Sequence, residues 1–322
     1  MERLHLVRRL EHAWPDKALL ATSAVLAESG FGERALAEAL KRGLVCRLRR
    51  GVYVQAAQWR FLKPWEQDKF RLHAHLLTVR GDPVYSYFSA ARLHGLYVWN
   101  CSAGVHVTGK SAVSGTSNAK DVVAHHEPLA ESESEQLTLR DGNRVLVTTL
   151  ERTVVDCARV GAFSQAVIIG DHAVHNGARL EVMWAAIEAM PGRRGVRKAR
   201  RVLRAIDGRS ESPGESRTRL IIAEMPIEQP ELQKELLAGD RIYRPDFVWE
   251  KQKLIVEFDG DIKYFAYGRT ADVILDERKR EKRLTELGWR FVRLEWKDLA
   301  NPVDVKRRIM ARYAAPFWSA AA

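Results

Sequence analysis

RPDFVWEKQKLIVEFDG, residues Arg244–Gly260, is the stretch whose reading decides the fold. Two runs rich in β-branched and aromatic residues flank the polar segment Glu250-Lys251-Gln252-Lys253, the pattern of two strands joined by a tight turn. With Lys251-Gln252 as a two-residue loop, Glu250 faces Lys253. Counting outward pairs Trp249 with Leu254, Val248 with Ile255, Phe247 with Val256, and Asp246 with Glu257. Opposed side chains in an antiparallel pair have Cβ atoms ~4.5–5.5 Å apart, and strand alternation puts Asp259 on the face of Glu257. Like charges at that spacing destabilise the pair unless a cation lies between them. The apolar neighbours Phe247, Val248, Leu254, Ile255, Val256 and Phe258 place these strands in a core. Three partly buried acids there form a cradle for a hard divalent ion. Oxygen ligands with no nearby cysteine select Mg²⁺, Mn²⁺ or Ca²⁺ over zinc. The competing reading is a surface hairpin whose acids pair with Lys251, Lys253 or arginines of a later helix.

Upstream, a helix is expected from Ser212-Pro213 to about Met225. Ser212-Pro213-Gly214-Glu215 has capping-box spacing, so Glu215 either returns to the Ser212 backbone N–H or joins the acid cluster. The strands are expected at Arg241–Trp249 and Leu254–Asp259. Downstream come a charged helix over 271–287 stopped by Gly288, then a strand over Trp289–Trp296 with Val292, Leu294 and Trp296 on one face. Asn301-Pro302 opens a final helix as cap and first helical position.

At Pro245-Asp246, Glu257 and the run IVEFDG this region resembles the PD-(D/E)xK nucleases, most closely the endonuclease-like domains related to very-short-patch mismatch-repair enzymes. The elements that carry the likeness are Glu215, Asp246-Phe247, Glu257-Phe258-Asp259-Gly260, the helix through Arg283, and Gly288-Trp289 with Phe291-Val292-Arg293. They span about residues 212–312. The resemblance implies metal-dependent phosphodiester hydrolysis with Asp246, Glu257 and Asp259 as metal ligands and Glu215 in support. Two positions depart from the pattern. Asp259 stands where the broad family has its lysine, and Lys263 stands where the subgroup usually has histidine. Lys263 can orient the attacking water or stabilise the developing phosphorane charge. Arg278, Lys279 and Lys282 on the charged helix read either as a solvated face or as phosphate contacts.

The first 60 residues read as three short helices and a basic hairpin. The helices carry Leu4, Val7 and Leu10, follow Ser23, and run over Gly32–Arg42; the strands are Leu44–Leu48 and Val52–Gln55. This is the order of a winged helix-turn-helix. It would present Arg34, Lys41 and Arg42 to a groove and Arg47, Arg49 and Arg50 to phosphates, whereas the plainer reading is a solvated face. RRGVYV (Arg49–Val54), SAARLHGL (Ser89–Leu96) and TTLERTVVDCAR (Thr148–Arg159) resemble AbiEi-type antitoxin and transcriptional-regulator proteins, which implies DNA binding and raises a toxin protein as a partner.

The middle region is mixed α/β. Helices are expected at Gln67–Arg80, Ser89–Gly95, Leu150–Val160 and Ser164–Asn176, and strands at Val105–Thr108 and Arg144–Thr148. His172 with His175, and His125-His126, lack a third ligand and read as packing or surface residues. Arg152 and Asp156 read as a helix ion pair. The basic run Arg193–Arg209 shows an uneven apolar pattern and reads as a linker helix, a phosphate-binding helix, or both.

The whole chain fits these parts. Its 322 residues carry 52 Lys+Arg against 41 Asp+Glu, a net charge of +11, and 46% hydrophobic residues. That composition supports more than one core, excludes wholesale disorder and suits a polyanion partner. Cys46, Cys101 and Cys157 make neither a disulfide framework nor a zinc module. No membrane-length apolar run or secretory h-region occurs, so a cytoplasmic protein is expected. The expected fold class is α/β, in the α+β multidomain sense. Its parts are a winged helix-turn-helix over 1–62, an AbiEi-like mixed α/β region over 63–190, a basic linker helix over 191–211, and a restriction-endonuclease-like α/β/α domain over 212–322. Two functions remain: a Mg²⁺- or Mn²⁺-dependent DNA endonuclease, and a non-catalytic DNA-binding regulator or type IV antitoxin with a vestigial nuclease fold.

Overall fold

The computed structural model describes residues 3–109, 121–139, 141–239, 241–260 and 280–315. The chain is mixed α/β and divides into two compact units, Met1–Thr153 and Val154–Ala322. The division falls inside the helix Leu150–Val160. No helix among the described residues is long and apolar enough to cross a membrane.

The first unit begins with α1 (Arg3–Ala13), β1 (Leu20–Thr22), α2 (Ser23–Glu28), α3 (Glu33–Lys41), β2 (Val45–Arg49) and β3 (Val52–Gln55). Helix α1 buries Leu6, Leu10 and Ala13, spaced i, i+4, i+7, while Leu4 is exposed. The apolar stripe therefore lies to one side of the expected Leu4–Val7–Leu10 line. Thr22 caps α2 by accepting from the Val25 N–H. Helix α3 buries Ala35, Leu36 and Ala39. The three strands form an antiparallel sheet in the order β1-β3-β2. Its β2–β3 hairpin turns at Arg50-Gly51, where Gly51 takes φ 81°, a conformation glycine adopts without Cβ strain.

Next come α4 (Ala56–Phe61), α5 (Pro64–Leu76), β4 (Val84–Tyr85), α6 (Tyr87–Leu93), β5 (Val105–Thr108), β6 (Val122–His125), β7 (Ser134–Thr138), β8 (Arg144–Thr148) and α7 (Leu150–Val160). A five-stranded sheet runs β6-β5-β4-β8-β7 over a core that includes Leu72, Tyr85, Val105, Val107 and Val147. Strands β4, β6 and β7 were not expected. The first has two residues, and the other two lie on the sheet's edges with little burial alternation to mark them.

In the second unit, α8 (Phe163–His175) and α9 (Leu180–Glu188) are followed by α10 (Val196–Ala205). Helix α10 buries Val196, Ala199, Val202 and Leu203, an orderly stripe that the sequence had suggested was uneven. Counting Ala199 as core restores the helical period. Then come α11 (Pro213–Ala223), β9 (Glu231–Leu232), β10 (Leu236–Ala238), β11 (Arg241–Tyr243), β12 (Phe247–Trp249) and β13 (Leu254–Phe258). The described helical residues 280–286 (α12), β14 (Arg290–Leu294) and α13 (Pro302–Tyr313) complete the unit.

The expected strand Arg241–Trp249 is two strands. β11 pairs with β10, and β12 belongs to the sheet β14-β13-β12-β9. Pro245 between them has no N–H to give a ladder, so the chain changes partners there. The β12–β13 register is as read from the sequence: Phe247 with Val256, Val248 with Ile255, Trp249 with Leu254. β13 and β14 are parallel, with Glu257 opposite Arg293. One face of the sheet (Phe247, Trp249, Leu254, Val256, Phe258, Val292, Leu294) packs on Ile221 and Ile222 of α11 and on Val305 and Ile309 of α13. The other face, through Val248 and Ile255, packs on Leu236 and Ala238 of β10, Leu284 of α12 and Trp289. Glu257 shares this second face by alternation.

Candidate functional site

Strand β13 carries the site, and α11 is seated on its end by a glycine. A Cβ added at Gly214 would stand 1.9 Å from the Phe258 ring, so only glycine lets the first turn of α11 lie on that ring. The next residue, Glu215, is thereby buried, at 6% exposure. Ser212 makes its half of the cap, accepting from the Glu215 N–H at 3.2 Å. The Glu215 carboxylate returns to the Glu211 N–H at 2.8 Å and also accepts from the Gln233 amide at 3.1 Å.

That Gln233 nitrogen also donates to Asp246 Oδ1 at 3.3 Å, so one amide bridges the two acids. Gln233 sits at φ 53°, a left-handed conformation costing a non-glycine residue about 1 kcal/mol. Its own N–H donates to the Asp246 carbonyl at 3.1 Å. Asp246 Oδ2 accepts from the Phe258 N–H at 2.8 Å. Beyond the Phe247–Val256 pair, Asp246 thus reaches the β13 backbone through its side chain.

Glu257 is buried at 7% exposure and is met by two arginines. Arg280 of α12 donates to Oε1, and Arg293 of β14 stands 3.3 Å from Oε2. Arg293 also donates to Asp259 at 2.9 Å and to Glu281 at 3.2 Å. Burial pushes the Glu257 carboxyl above its ordinary range; Arg280 and Arg293 oppose this, and Asp246 and Asp259 add to it. Burial works against the Arg293 cation, but the bond to Asp259 and the charges of Glu257, Asp259 and Glu281 outweigh it and raise its pKa.

Asp246, Glu257, Asp259 and Glu215 are therefore gathered around the end of β13. Their donor chemistry, all carboxylate oxygen, fits a hard divalent cation. Among the described residues no three His, Cys, Asp or Glu side chains already converge as one ligand set. Gln233 stands between Glu215 and Asp246, and guanidinium groups hold Glu257 and Asp259. The alternative pairing with arginines of the charged helix is thus realised at Arg280, with Arg293 as a second partner. Lys263, Arg278 and Lys279 lie outside the described residues. Lys282 is exposed, 3.9 Å from Glu286.

Sequence reasoning did not single out Gln233, Arg280 or Arg293 as parts of the site. Gln233 carries no signal, since its role comes from a backbone conformation. Arg293 was visible only as part of Phe291-Val292-Arg293, and parallel pairing with a distant strand cannot be counted out from a turn.

In the first unit, Arg34, Lys41, Arg47 and Arg50 are exposed. Arg42 donates to Glu38 at 2.5 Å and Arg49 to Asp121 at 2.8 Å, so these two cations are already engaged by acids.

No family model matches the chain. Two proteins of Mycobacterium tuberculosis are similar to it, "Uncharacterized protein MT2308" of strain CDC 1551 / Oshkosh and "Uncharacterized protein Rv2248" of strain H37Rv. Each is 34% identical over 173 residues, covering 53% of this chain and 59% of the relative. The chain thus spans less than two thirds of the length of these curated relatives, and the likeness brings no activity with it.

Proposed function

We propose that the protein is a metal-dependent DNA endonuclease whose chemistry belongs to the second unit. The observation that carries this reading is a buried Glu257 beside Asp246 and Asp259 on adjoining strand ends, an all-oxygen donor group suited to a hard divalent ion and kept apart from bulk water. Its surroundings support the restriction-endonuclease-like assignment: a short sheet between helices, and Glu215 on the helix seated against Phe258. Asp246 and Glu257 would hold Mg²⁺ or Mn²⁺, with Asp259 and Glu215 completing or supporting the set. When bound, the ion polarises the scissile phosphate and lowers the pKa of the attacking water. Glu215 and Gln233 keep the Asp246 carboxylate oriented, and Lys263 would orient the water or balance charge on the phosphorane.

In the first unit, the element order through β3 and the sheet order β1-β3-β2 support a winged helix-turn-helix. Arg34 and Lys41 on α3, with Arg47 and Arg50 on the hairpin, would contact the duplex. Incubation of the purified chain with Mg²⁺ or Mn²⁺ and a panel of duplex, mismatched, single-stranded and branched DNA should give cleavage. Asp246→Asn and Glu257→Gln should each abolish it; cleavage untouched by both changes overturns the assignment.

The second reading is a non-catalytic DNA-binding regulator or antitoxin, with a toxin protein as partner. What favours it is that Arg280 and Arg293 already balance Glu257 and Asp259. It requires operator binding that depends on the exposed hairpin arginines, and no metal-dependent cleavage by the wild-type chain.

A further inference from the structure

The two arginines at Glu257 are not equivalent. Arg293 is fixed by its place in β14 and by three carboxylates, those of Glu257, Asp259 and Glu281. Among the described residues Glu257 is the carboxylate Arg280 meets, and its guanidinium lies 5.8 Å from the centre of the Tyr243 ring. Tyr243 is itself held by Arg283, whose guanidinium donates to the phenol oxygen at 3.3 Å. The Arg280 side chain is also 30% exposed, so it can leave the carboxylate for water without losing its place on the aromatic ring.

Resting on the metal-nuclease reading above, we propose that Arg280 is a two-position residue: it neutralises Glu257 in the metal-free protein and, displaced by the divalent ion, holds a phosphate of the DNA substrate. The argument is one of charge and reach. A metal ligated by Glu257 Oε1 and the Arg280 guanidinium compete for the same lone pairs, and two cations on one buried oxygen repel each other. Arg293 can stay, because Asp259 and Glu281 keep it paired. The freed guanidinium stays at the mouth of the acid cluster, where its planar fork suits phosphate. Metal and DNA then favour each other, because each stabilises the position of Arg280 that the other requires.

The test uses the full chain, with Mn²⁺ titrated calorimetrically and a fluorescein-labelled duplex followed by anisotropy in Ca²⁺. Arg280→Ala should bind Mn²⁺ more tightly than wild type, by about tenfold on the usual scale of such couplings. The wild-type chain should bind DNA more tightly when Ca²⁺ is added, and Arg280→Ala should lose that gain. Arg280→Lys should restore part of it. Thermal melts check the fold, and Arg280→Gln replaces the alanine variant if that one unfolds. Unchanged or weaker Mn²⁺ binding in Arg280→Ala and Arg280→Gln, with binding still abolished by Asp246→Asn, overturns the role of Arg280 and leaves the metal site standing. Absence of Mn²⁺ binding in every protein, wild type included, overturns both.

Discussion

Glu257 shows what one side chain in a β-core has to reconcile. Its backbone belongs to the ladder, its neighbours are apolar, and its carboxylate is charged only at the expense of burial. Because its pKa is raised in the folded state, the native protein holds this proton more tightly than the unfolded chain does. Its ionisation therefore costs stability as pH rises from about the ordinary glutamate value upward. Glu257→Gln removes that cost. Its melting temperature relative to wild type should climb between pH 4 and pH 7, as read by calorimetry without added metal. A constant difference over that range would contradict the direction of the shift. In the first unit His106 runs the other way. Burial is the main cause that lowers its pKa to about 4, so its protonation opposes folding and stability is lost as pH falls from the ordinary histidine value through 4. His106→Gln should flatten that acid limb.

Helix α11 is the element on which the site's geometry depends, and it is held at its start and again at its middle. At its start, Gly214 on Phe258 permits no Cβ. Gly214→Ala should cost about 2–3 kcal/mol in urea unfolding of the second unit, the range for overpacking a filled core. One turn on, Arg219 donates to both oxygens of Asp171 on α8, at 2.9 and 2.8 Å, and Asp171 is 1% exposed. Arg219→Met leaves that buried carboxylate without its cation, with the Asp207 N–H still donating to it at 2.8 Å, and should cost about 3 kcal/mol, whereas Asp171→Leu with Arg219→Met together should cost less. The acids themselves were legible in sequence because a hairpin register is local: once the turn is placed, alternation assigns every face. What the sequence did not reveal is the seating of α11 on α8, since the Arg219–Asp171 pair spans 48 residues and leaves no periodic trace.

Across the whole molecule, the excess of positive charge resolves into cations of different standing. Arg47 and Arg50 are exposed on the hairpin, while Arg49 between them is taken by Asp121. If the first unit holds DNA, Arg47→Ala with Arg50→Ala should reduce the slope of log K against log salt by about 2, and Arg49→Ala should barely change it. Net charge could not have separated these three, because an acid 72 positions away decides the matter. The same limit applied to the strand order of the first unit's larger sheet, whose parallel pairs join segments far apart in sequence.

The bond from the Phe258 N–H to Asp246 has a practical use. It ties a single amide proton of β13 directly to the carboxylate expected to meet a metal. In a nitrogen–proton correlation spectrum, that resonance is a built-in indicator of what Asp246 is bound to. Titrating a diamagnetic ion such as Mg²⁺ and watching one cross-peak would show whether the acid cluster takes a cation before any nucleic acid or product is measured.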